Sequence, residues 1–478
     1  MSHRTVSRRN FMQRSAMLLG ASTCARGIFA QTGLAVRPEW QSFKTTSRYD
    51  SFIKAVKAMK ANTNSSDPKS WVYWTNIHLK QCPHSAPYFL AWHRGYLYYF
   101  ERQLRAVSGD SQLVLPYWDY YTDPALPAEF TNPTSGNPLY VQRVNTNVRQ
   151  ALTMAPFSST LINFPRGMSN AFEPVLEDAP HNPVHDIIGN WMANMQSPTD
   201  PIFWLHHANV DRLWVAWVSA GGGRRMPSLS QSYWSGSHVY TGSLTMPRSS
   251  TYGTRTTLAF SYQNETLPGR LPLAQLASAN VHRVQATPEG LQQAPLPVGS
   301  FRLSPPRQTS GRTFALGGAL DVGLDERSIS VQLPVSSEHA RTLARIATGD
   351  AAALPGSSKL YRSVHVVLDD VEVTDAGKGG GYYYQLYLSI PARGGVTNRP
   401  RSILIGTLGP FKISGAAHHG RPVQLRYRIE RAVFARAASE TGMLFVSFVR
   451  VNGDQSPKGG VIGLGEVRLE TSTEDGDL

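Results

Sequence analysis

Seven histidines lie in two groups in the first half of the chain, and histidine is the commonest metal ligand among the side chains. The first group is His78, His84 and His93, and the second is His181, His185, His206 and His207. A single histidine in an apolar pattern usually has a structural role, but packing alone poorly explains two such groups. A buried imidazole needs a partner for each ring nitrogen, and a metal ion can be one of them. The pattern therefore predicts two metal sites.

The ligand types favour copper. Zinc sites commonly add Cys, Glu or water, and the glutamate of the zinc-protease pattern His-Glu-x-x-His is replaced by Asn182 between His181 and His185. Magnesium and calcium prefer oxygen ligands and non-haem iron a mixed triad, whereas imidazole suits copper. Three imidazoles leave a coordination position vacant, so two such copper ions can share one O2 as co-substrate.

One predicted helix distinguishes the two adjacent histidines of the second group. Asp200 is a typical N-cap and Pro201 a typical first helical residue. Apolar residues then recur every three or four positions on a single stripe, and His207 lies on it: Phe203, His207, Val210, Trp214 and Trp217. His206 lies off this stripe. The periodicity therefore selects His207 as the ligand.

Two further helices position the other histidines. One is predicted to begin near Ser85–Pro87 and to carry His93 on a buried stripe from Phe89 to Leu104. A shorter helix is predicted to begin near Pro183. His181 and His185, four positions apart, would point in the same direction there.

The sequences around these histidines resemble the type-3 copper proteins, the family of tyrosinases, catechol oxidases and molluscan-type haemocyanins. The resemblance rests on His84-x8-His93 with His78 upstream, on His181-x3-His185, and on the segment 200–214, DPIFWLHHANVDRLW. It implies that His78, His84 and His93 hold one copper ion and that His181, His185 and His207 hold the other. It also implies a mainly α catalytic domain, in which a four-helix bundle holds the dicopper site.

The resemblance assigns roles to three further residues. In tyrosinases a glutamate and an asparagine at the positions of Glu177 and Asn182 are proposed to hold a water that deprotonates a monophenol. The alternative is a structural carboxylate and a helix-start residue. Cys82, two positions before His84, has the spacing of a cysteine that forms a thioether to a copper-site histidine in several relatives. The alternative is a buried free thiol.

The implied activity is that of a copper-dependent monooxygenase and oxidase of the tyrosinase or polyphenol oxidase type. Such an enzyme hydroxylates monophenols such as tyrosine, oxidises o-diphenols to o-quinones and thereby leads to melanin-like pigments. Two alternatives stay open: a catechol or o-aminophenol oxidase without hydroxylase activity, and a haemocyanin-like O2-binding protein. Catechol oxidases can carry a bulky Phe thirteen positions before the last ligand. Asn194 has that position here, which predicts an open entrance.

The first 30 residues are predicted to be a signal peptide. Arg8 and Arg9 form a twin-arginine pattern, an apolar run follows, and Ala30 is a small residue suited to cleavage. This predicts Tat export to the periplasm or the medium. Its removal takes away five arginines and no acidic residue, so the net charge falls from +14 to +9. It also removes Cys24, which leaves Cys82 without a partner for an internal disulfide.

The rest of the chain shows no sign of nucleic-acid or membrane partners. The remaining arginines are scattered, without a basic stripe interleaved with aromatics, and no apolar run is long enough to span a bilayer. The expected partners are small phenolic substrates, and a separate copper chaperone is compatible with the site. The sequence does not predict an oligomeric state.

Three regions are expected after the signal. Residues 31–265 form the catalytic domain. Residues 266–355 are a Pro/Gly-rich connecting region with little core of its own, and residues 356–478 alternate apolar and polar side chains. The last region is predicted to be an all-β, sandwich-like domain. By weak resemblance to plant polyphenol oxidases it covers the active site, and the alternative is a stabilising or partner-binding domain.

Overall fold

The computed structural model describes residues 34–272, 301–390, 401–418, 420, 422–429 and 443–475. It contains a helical unit, followed by a unit built mainly from antiparallel strands. The expected order of a mainly α domain and an all-β, sandwich-like domain is thereby confirmed. The predicted signal peptide lies outside the described residues. None of the helices in those ranges is long and apolar enough to cross a membrane.

The helical unit is built from helices of very different length. Its helices are α1 (Trp40–Phe43), α2 (Arg48–Ala61), α3 (Trp71–Gln81), α4 (Phe89–Ser108), α5 (Ala128–Thr131), α6 (Phe172–Leu176), α7 (Asn182–Ile188) and α8 (Ile202–Ser219). A π-helical turn, Glu177–His181, joins α6 to α7. Two short strand pairs complete the unit: β1 (Ala35–Arg37) with β4 (Phe260–Tyr262), and β2 (Ser237–Val239) with β3 (Thr245–Pro247).

The long helices begin where local chemistry favours it. The Asp200 carboxylate accepts the N–H of Ile202, the first residue of α8, at 2.9 Å. The N-cap is Pro201, so the helix begins one residue later than the sequence predicts. The first turn of α4 receives a carboxylate from another segment, because Glu173 accepts the N–H of Leu90 at 3.2 Å. Both contacts satisfy N–H groups that a helix leaves without an internal partner, and a negative charge suits that end.

The packing of α4 against α8 forms the centre of the helical core. Phe100 of α4 stacks on Trp204 of α8 with a centroid separation of 3.4 Å and an interplanar angle of 7°. A buried ion pair joins the same two helices, since Arg94 of α4 pairs with Asp211 of α8 at 2.6 Å. These contacts fix the relative positions of the two helices that carry His93 and His207.

In the described residues, the β unit consists of two larger antiparallel sheets and a two-stranded antiparallel pair, Ala352–Ala353 with Leu360–Tyr361. Its strands are β5 (Arg302–Ser304), β6 (Arg307–Gln308), β7 (Thr313–Leu324), β8 (Ile329–Pro334), β9 (Ala352–Ala353), β10 (Leu360–Tyr361), β11 (Ser363–Val373), β12 (Tyr382–Ile390), β13 (Arg401–Leu408), β14 (Leu425–Arg428), β15 (Met443–Asn452) and β16 (Ile462–Ser472). One sheet has the order β14-β11-β16-β7-β5, with β6 also paired to β7, and the other has the order β13-β12-β15-β8. Two helices, α9 (Ser337–Ala347) and α10 (Pro410–Ala417), accompany them.

Strands lie within residues 266–355, which were expected to be a connecting region. Residues from Arg302 onward already belong to the sheets, and Leu316, Val322 and Leu333 are buried in the core of the β unit. The glycines of β7 resemble loop residues in the sequence, but Gly318 permits close approach. A Cβ added there would lie 2.6 Å from the carbonyl oxygen of Val467 on β16.

Within the described ranges, two of the contacts between the units lie at α7. At one, the residue before β12 contacts α7, because the N–H of Gly381 donates to the carbonyl oxygen of Asp186 at 2.7 Å. Beside it, Gln455 of the β unit exchanges two hydrogen bonds with Asn145 of the helical unit. At the other, α10 packs on α7 and on the loop that follows it. The second contact lies directly over the histidines.

Candidate metal centre

The first histidine group is assembled by α3, α4 and the loop between them. His78 lies on α3 and His93 on α4, while Cys82 and His84 occupy the loop. The Nδ1 atoms of His78 and His93 lie 2.8 Å from the carbonyl oxygens of Met195 and Phe89. Because a carbonyl oxygen only accepts, each Nδ1 carries the proton and each Nε2 keeps its lone pair. Ligand atoms of all four side chains lie within 4.8 Å of one another.

The second group is assembled by α7 and α8. His181 directly precedes α7 and His185 lies on it, while His207 lies on α8. The Nδ1 of His181 contacts Asn182 Oδ1, and that of His185 contacts the carbonyl oxygen of Met192, both at 2.9 Å. Their Nε2 atoms each lie 3.3 Å from His207 Nε2. A proton on His207 can serve only one of these contacts, so the three nitrogens suit a shared cation.

His206 belongs to the second group by distance but has a different environment. Its ring stacks on His181 at 5.3 Å and lies 5.7 Å from Tyr120. Neither of its ring nitrogens has a hydrogen-bond partner in the described part of the chain. The direct Nε2 contacts to His181 and His185 are made by His207, the histidine that the helical stripe selects.

The two groups face each other in a buried interior. The rings of His93 and His207 stack across the boundary with a centroid separation of 4.2 Å and an interplanar angle of 19°. The six predicted ligands are at most 5% exposed. Two metal ions held by these groups would therefore be neighbours, with little water around them.

Burial keeps these imidazoles neutral. Desolvation lowers the pKa of His78 to about 4 and that of His181 to about 3, and neighbouring histidines add to the effect. It also lowers the pKa of His93, His185 and His207 well below the ordinary value. A neutral imidazole offers a lone pair to a metal ion, whereas an imidazolium does not.

Cys82 lies between two rings of the first group. Its Sγ is 3.3 Å from His93 Nε2 and 3.7 Å from His84 Nε2. Burial raises the pKa of the thiol well above its ordinary value, and Glu177 contributes in the same direction. The sulfur is therefore close to His84, the ring to which the thioether is predicted, and closer still to His93. The thioether itself stays a prediction.

Glu177 lies in the π-helical turn and is buried. Its Oε1 accepts the N–H of Ser85 at 2.6 Å, and its Oε2 accepts a hydrogen bond from the Arg166 guanidinium. Burial raises the pKa of the Glu177 carboxyl, while Arg166 and the Ser85 N–H oppose the increase. Asn182, the second residue predicted to handle the phenol proton, contacts His181 Nδ1. Both residues thus lie beside the histidines.

Asp211 does not have the role that its spacing suggests. Four positions after His207, it is expected to orient that ring or to pair with Arg212. Instead Arg94 and the Tyr262 hydroxyl, each at 2.6 Å, occupy its two carboxylate oxygens, and Arg212 pairs with Asp119. Adjacent residues on a helix point to different sides, which is why Asp211 and Arg212 find separate partners.

The entrance is not open, although Asn194 predicts that it is. The Phe411 ring of α10 stacks on His185 with a centroid separation of 3.8 Å and an interplanar angle of 9°. It also lies edge-on to His84 at 5.0 Å and to His181 at 5.6 Å, so it contacts histidines of both groups. The bulk over the site comes from the β unit, far away in sequence.

Two carboxylates on the histidine-bearing segment hold α10 in place. The Asp186 Oδ1 accepts the N–H of Phe411 at 2.8 Å. The Asp178 Oδ1 accepts the Lys412 ammonium at 2.7 Å and the hydroxyl of Thr407 at 3.1 Å. Burial raises the pKa of the Asp186 carboxyl well above its ordinary value, while the Phe411 N–H and Lys412 oppose the increase. The sequence analysis did not identify either residue. Only their closeness in sequence to His181 and His185 could have indicated them.

The chain is similar to known proteins over its helical unit. The family described as the common central domain of tyrosinase matches residues 46–164 and 131–220. A tyrosinase of Streptomyces glaucescens is 31% identical over 215 residues, which cover 36% of this chain and 73% of that protein. Tyrosinase HcTyr1 of Hahella sp. (strain CCB-MM4) is 30% identical over 237 residues, 36% of this chain, and the chain spans 51% of its length. The solved structure of latent apple tyrosinase aligns over 92% of this chain and 97% of that chain, with 17% identity and a TM-score of 0.49.

Proposed function

Because the chain belongs to the tyrosinase family of type-3 copper proteins, we propose that it uses copper and O2 to oxidise phenols to o-quinones. The observation that carries this proposal is the pair of buried histidine groups, in which neutral Nε2 atoms converge. The quinones would go on to form melanin-like pigments.

The side chains fit two copper ions. His78, His84 and His93 would hold one, and His181, His185 and His207 the other. The described chain offers no hydrogen-bond partner for the buried Nε2 of His78, which an ion would satisfy. Copper bound there would supply the redox chemistry that activates O2 towards a phenol. The carbonyl oxygens behind His78, His93 and His185 hold each ring in the tautomer that presents Nε2.

We propose that Glu177 and Asn182 extend the activity to monophenols. Hydroxylation requires the phenol to lose its proton, and a positioned base assists that step. A carboxylate has about four acceptor sites. Ser85 and Arg166 each take one at Glu177, which leaves room for a water that receives the proton. Desolvation raises the pKa of this carboxyl and thus its basicity, while Arg166 opposes the increase.

We further propose that α10 keeps the chain latent. Phe411 occupies the face of His185 on which the ring of a phenol would stack, and Asp178 and Asp186 bind the helix on either side. A substrate can reach the histidines only when this helix moves away. Phe411→Ala in the full chain is expected to raise turnover of a catechol. Phe314→Ala, which removes a ring of the same β unit that packs against His339 and not against the histidine groups, is the matched control.

One set of measurements tests the activity. The purified chain is loaded with copper, the metal is quantified, and O2 uptake is followed with tyrosine, DOPA and an o-aminophenol. We expect two copper ions per chain and uptake with both tyrosine and DOPA. Uptake with DOPA or the aminophenol alone would instead indicate an oxidase without hydroxylase activity. Reversible O2 binding without turnover, also in Phe411→Ala, would indicate a carrier, and copper far below two per chain would contradict the whole proposal.

A further inference from the structure

Phe411 of α10 resembles one class of small molecule in the way its ring and backbone nitrogen are placed beside the histidines. The ring of Phe411 lies flat on His185 and edge-on to His84. Its own backbone nitrogen is separated from that ring by two carbons, Cα and Cβ. A 2-arylethylamine has the same sequence of atoms, with an ammonium group in place of the amide. Phe411 therefore shows where the nitrogen of such a molecule would lie when its ring stacks on His185.

At that place the nitrogen meets a carboxylate. The Phe411 N–H donates to Asp186 Oδ1 at 2.8 Å. The backbone before it also fits closely, since a Cβ added to Gly409 would lie 2.0 Å from Asp186 Oδ2. The contact is a complementary fit between one carboxylate and one N–H donor, and an ammonium group offers the same donor with a full charge.

A second carboxylate gives the same edge of the site a negative charge. Asp178 accepts the Lys412 ammonium at 2.7 Å, and the other contacts of its carboxylate come from Thr407. All hydrogen-bond partners of both carboxylates in the described ranges thus belong to the β unit. Arg166, the nearby cation of the helical unit, pairs with Glu177. When α10 leaves, Asp186 loses Phe411 and Asp178 loses the Lys412 ammonium.

We propose that Asp186, assisted by Asp178, selects phenols that carry an ammonium group two carbons from the ring over phenols that carry a carboxylate. This inference rests on the proposed phenol oxidation and names its substrate class. A charge-assisted hydrogen bond to Asp186 strengthens binding of the amine, whereas a substrate carboxylate meets like charges. Neutral phenols fall between the two.

The test uses the copper-loaded full chain and three catechols that differ in side-chain charge: dopamine, 4-methylcatechol and 3-(3,4-dihydroxyphenyl)propionate. The kcat/KM of each is measured in the wild type, in Asp186→Asn and in Asp178→Asn. A covered site lowers all three values by the same open fraction, so their ratios do not depend on latency. We expect the dopamine-to-propionate ratio to fall about ten-fold or more in Asp186→Asn, and less in Asp178→Asn. Asp375→Asn, which removes an exposed carboxylate paired with Lys378, is the control and leaves the ratio unchanged.

Calorimetric binding supplies a readout without turnover. 2-Phenylethylamine and 3-phenylpropionate lack the phenol group, and the first is expected to bind the wild type more tightly. This comparison decides the matter even if Asp186→Asn fails to fold or to retain copper. Equal binding of the two, or an unchanged ratio in a folded Asp186→Asn, overturns the inference. Oxidation of 4-methylcatechol without any charge preference overturns it while sparing the proposed function. No turnover of any catechol by a chain with two copper ions, also in Phe411→Ala, overturns both.

Discussion

His206 and His207 are adjacent in sequence, and only their environments separate them. His207 contacts the Nε2 atoms of His181 and His185, while the ring of His206 stacks beside them without a hydrogen bond in the described chain. His207→Gln is therefore expected to lose about one of two copper ions, because it removes one of three ligands. His206→Gln is the matched variant and is expected to keep both. The copper content of the two folded variants shows which histidine is the ligand, and equal copper loss in both would contradict the assignment of His207.

Glu177 permits a test of hydroxylation apart from oxidation. Glu177→Gln keeps the shape of the side chain and removes its basicity, so tyrosine turnover is expected to fall about 100-fold or more while DOPA turnover changes little. The measurement is the ratio of the two kcat values in the same preparation. Glu265→Gln, at a carboxylate paired with Arg255 on the surface, serves as the control. If tyrosine and DOPA oxidation fall equally, Glu177 is not the base.

Local patterns could predict most of the histidine site, but not its cover. His93 and His207 lie on helical stripes, and His181 and His185 are four positions apart, so periodicity alone brings them together. The family resemblance is confirmed by the relatives, and it supplied Glu177 and Asn182. Phe411 could not be found in this way, because its contact with His185 depends on how the two units pack. The same holds for Asp211, which Arg94 reaches from a different helix.

At the scale of elements, α10 depends on one close approach. Gly409 has an extended backbone that any residue can adopt, but a Cβ there would lie 2.0 Å from Asp186 Oδ2. Gly409→Ala is therefore expected to displace α10 and to raise catechol turnover of the full chain about ten-fold or more, because the open fraction increases. Gly323→Ala, where an added Cβ meets nothing within 4 Å, is the control. Unchanged turnover in Gly409→Ala would show that α10 does not limit access.

Whether a segment is a helix or a strand was easier to predict than the domain to which it belongs. The alternation of Val364, Val366 and Leu368 marks β11, and a cap followed by an apolar stripe marks α8. By contrast, β7 contains three glycines and two alanines and has little alternation, so the sequence places it in a connecting region. Its pairing with β16 is a long-range contact, which local composition does not encode.

For the whole molecule, the buried histidines predict how stability depends on pH. Their pKa values lie below the unfolded value of about 6.5, near 4 for His78 and 3 for His181. Between these values the unfolded chain binds a proton that the folded, metal-free chain does not. The contribution of these histidines to the free energy of unfolding is therefore largest above pH 6.5 and decreases as the pH falls. His78 alone would account for about 3 kcal/mol by pH 4.

Copper is expected to offset this loss, because it binds the folded chain and keeps the imidazoles unprotonated. The measurement is Tm against pH from 4.5 to 8, with copper and after chelation. The metal-free curve is expected to fall more steeply below pH 6.5 than the copper-loaded curve. Two parallel curves would mean that these histidines do not respond to metal as proposed.

The segment from Glu177 to Asp186 has a consequence for how this protein can change over generations. The residues proposed for catalysis in it, Glu177, His181 and His185, are interleaved with Asp178 and Asp186, which hold α10. A mutation that alters Asp186 to admit a new phenol also loosens the restraint on the enzyme. The range of accepted phenols and the inactive, covered state of the enzyme are therefore expected to evolve together. Descendants with a new preference are expected to carry compensating changes at Gly409–Lys412, on the other side of the same contact.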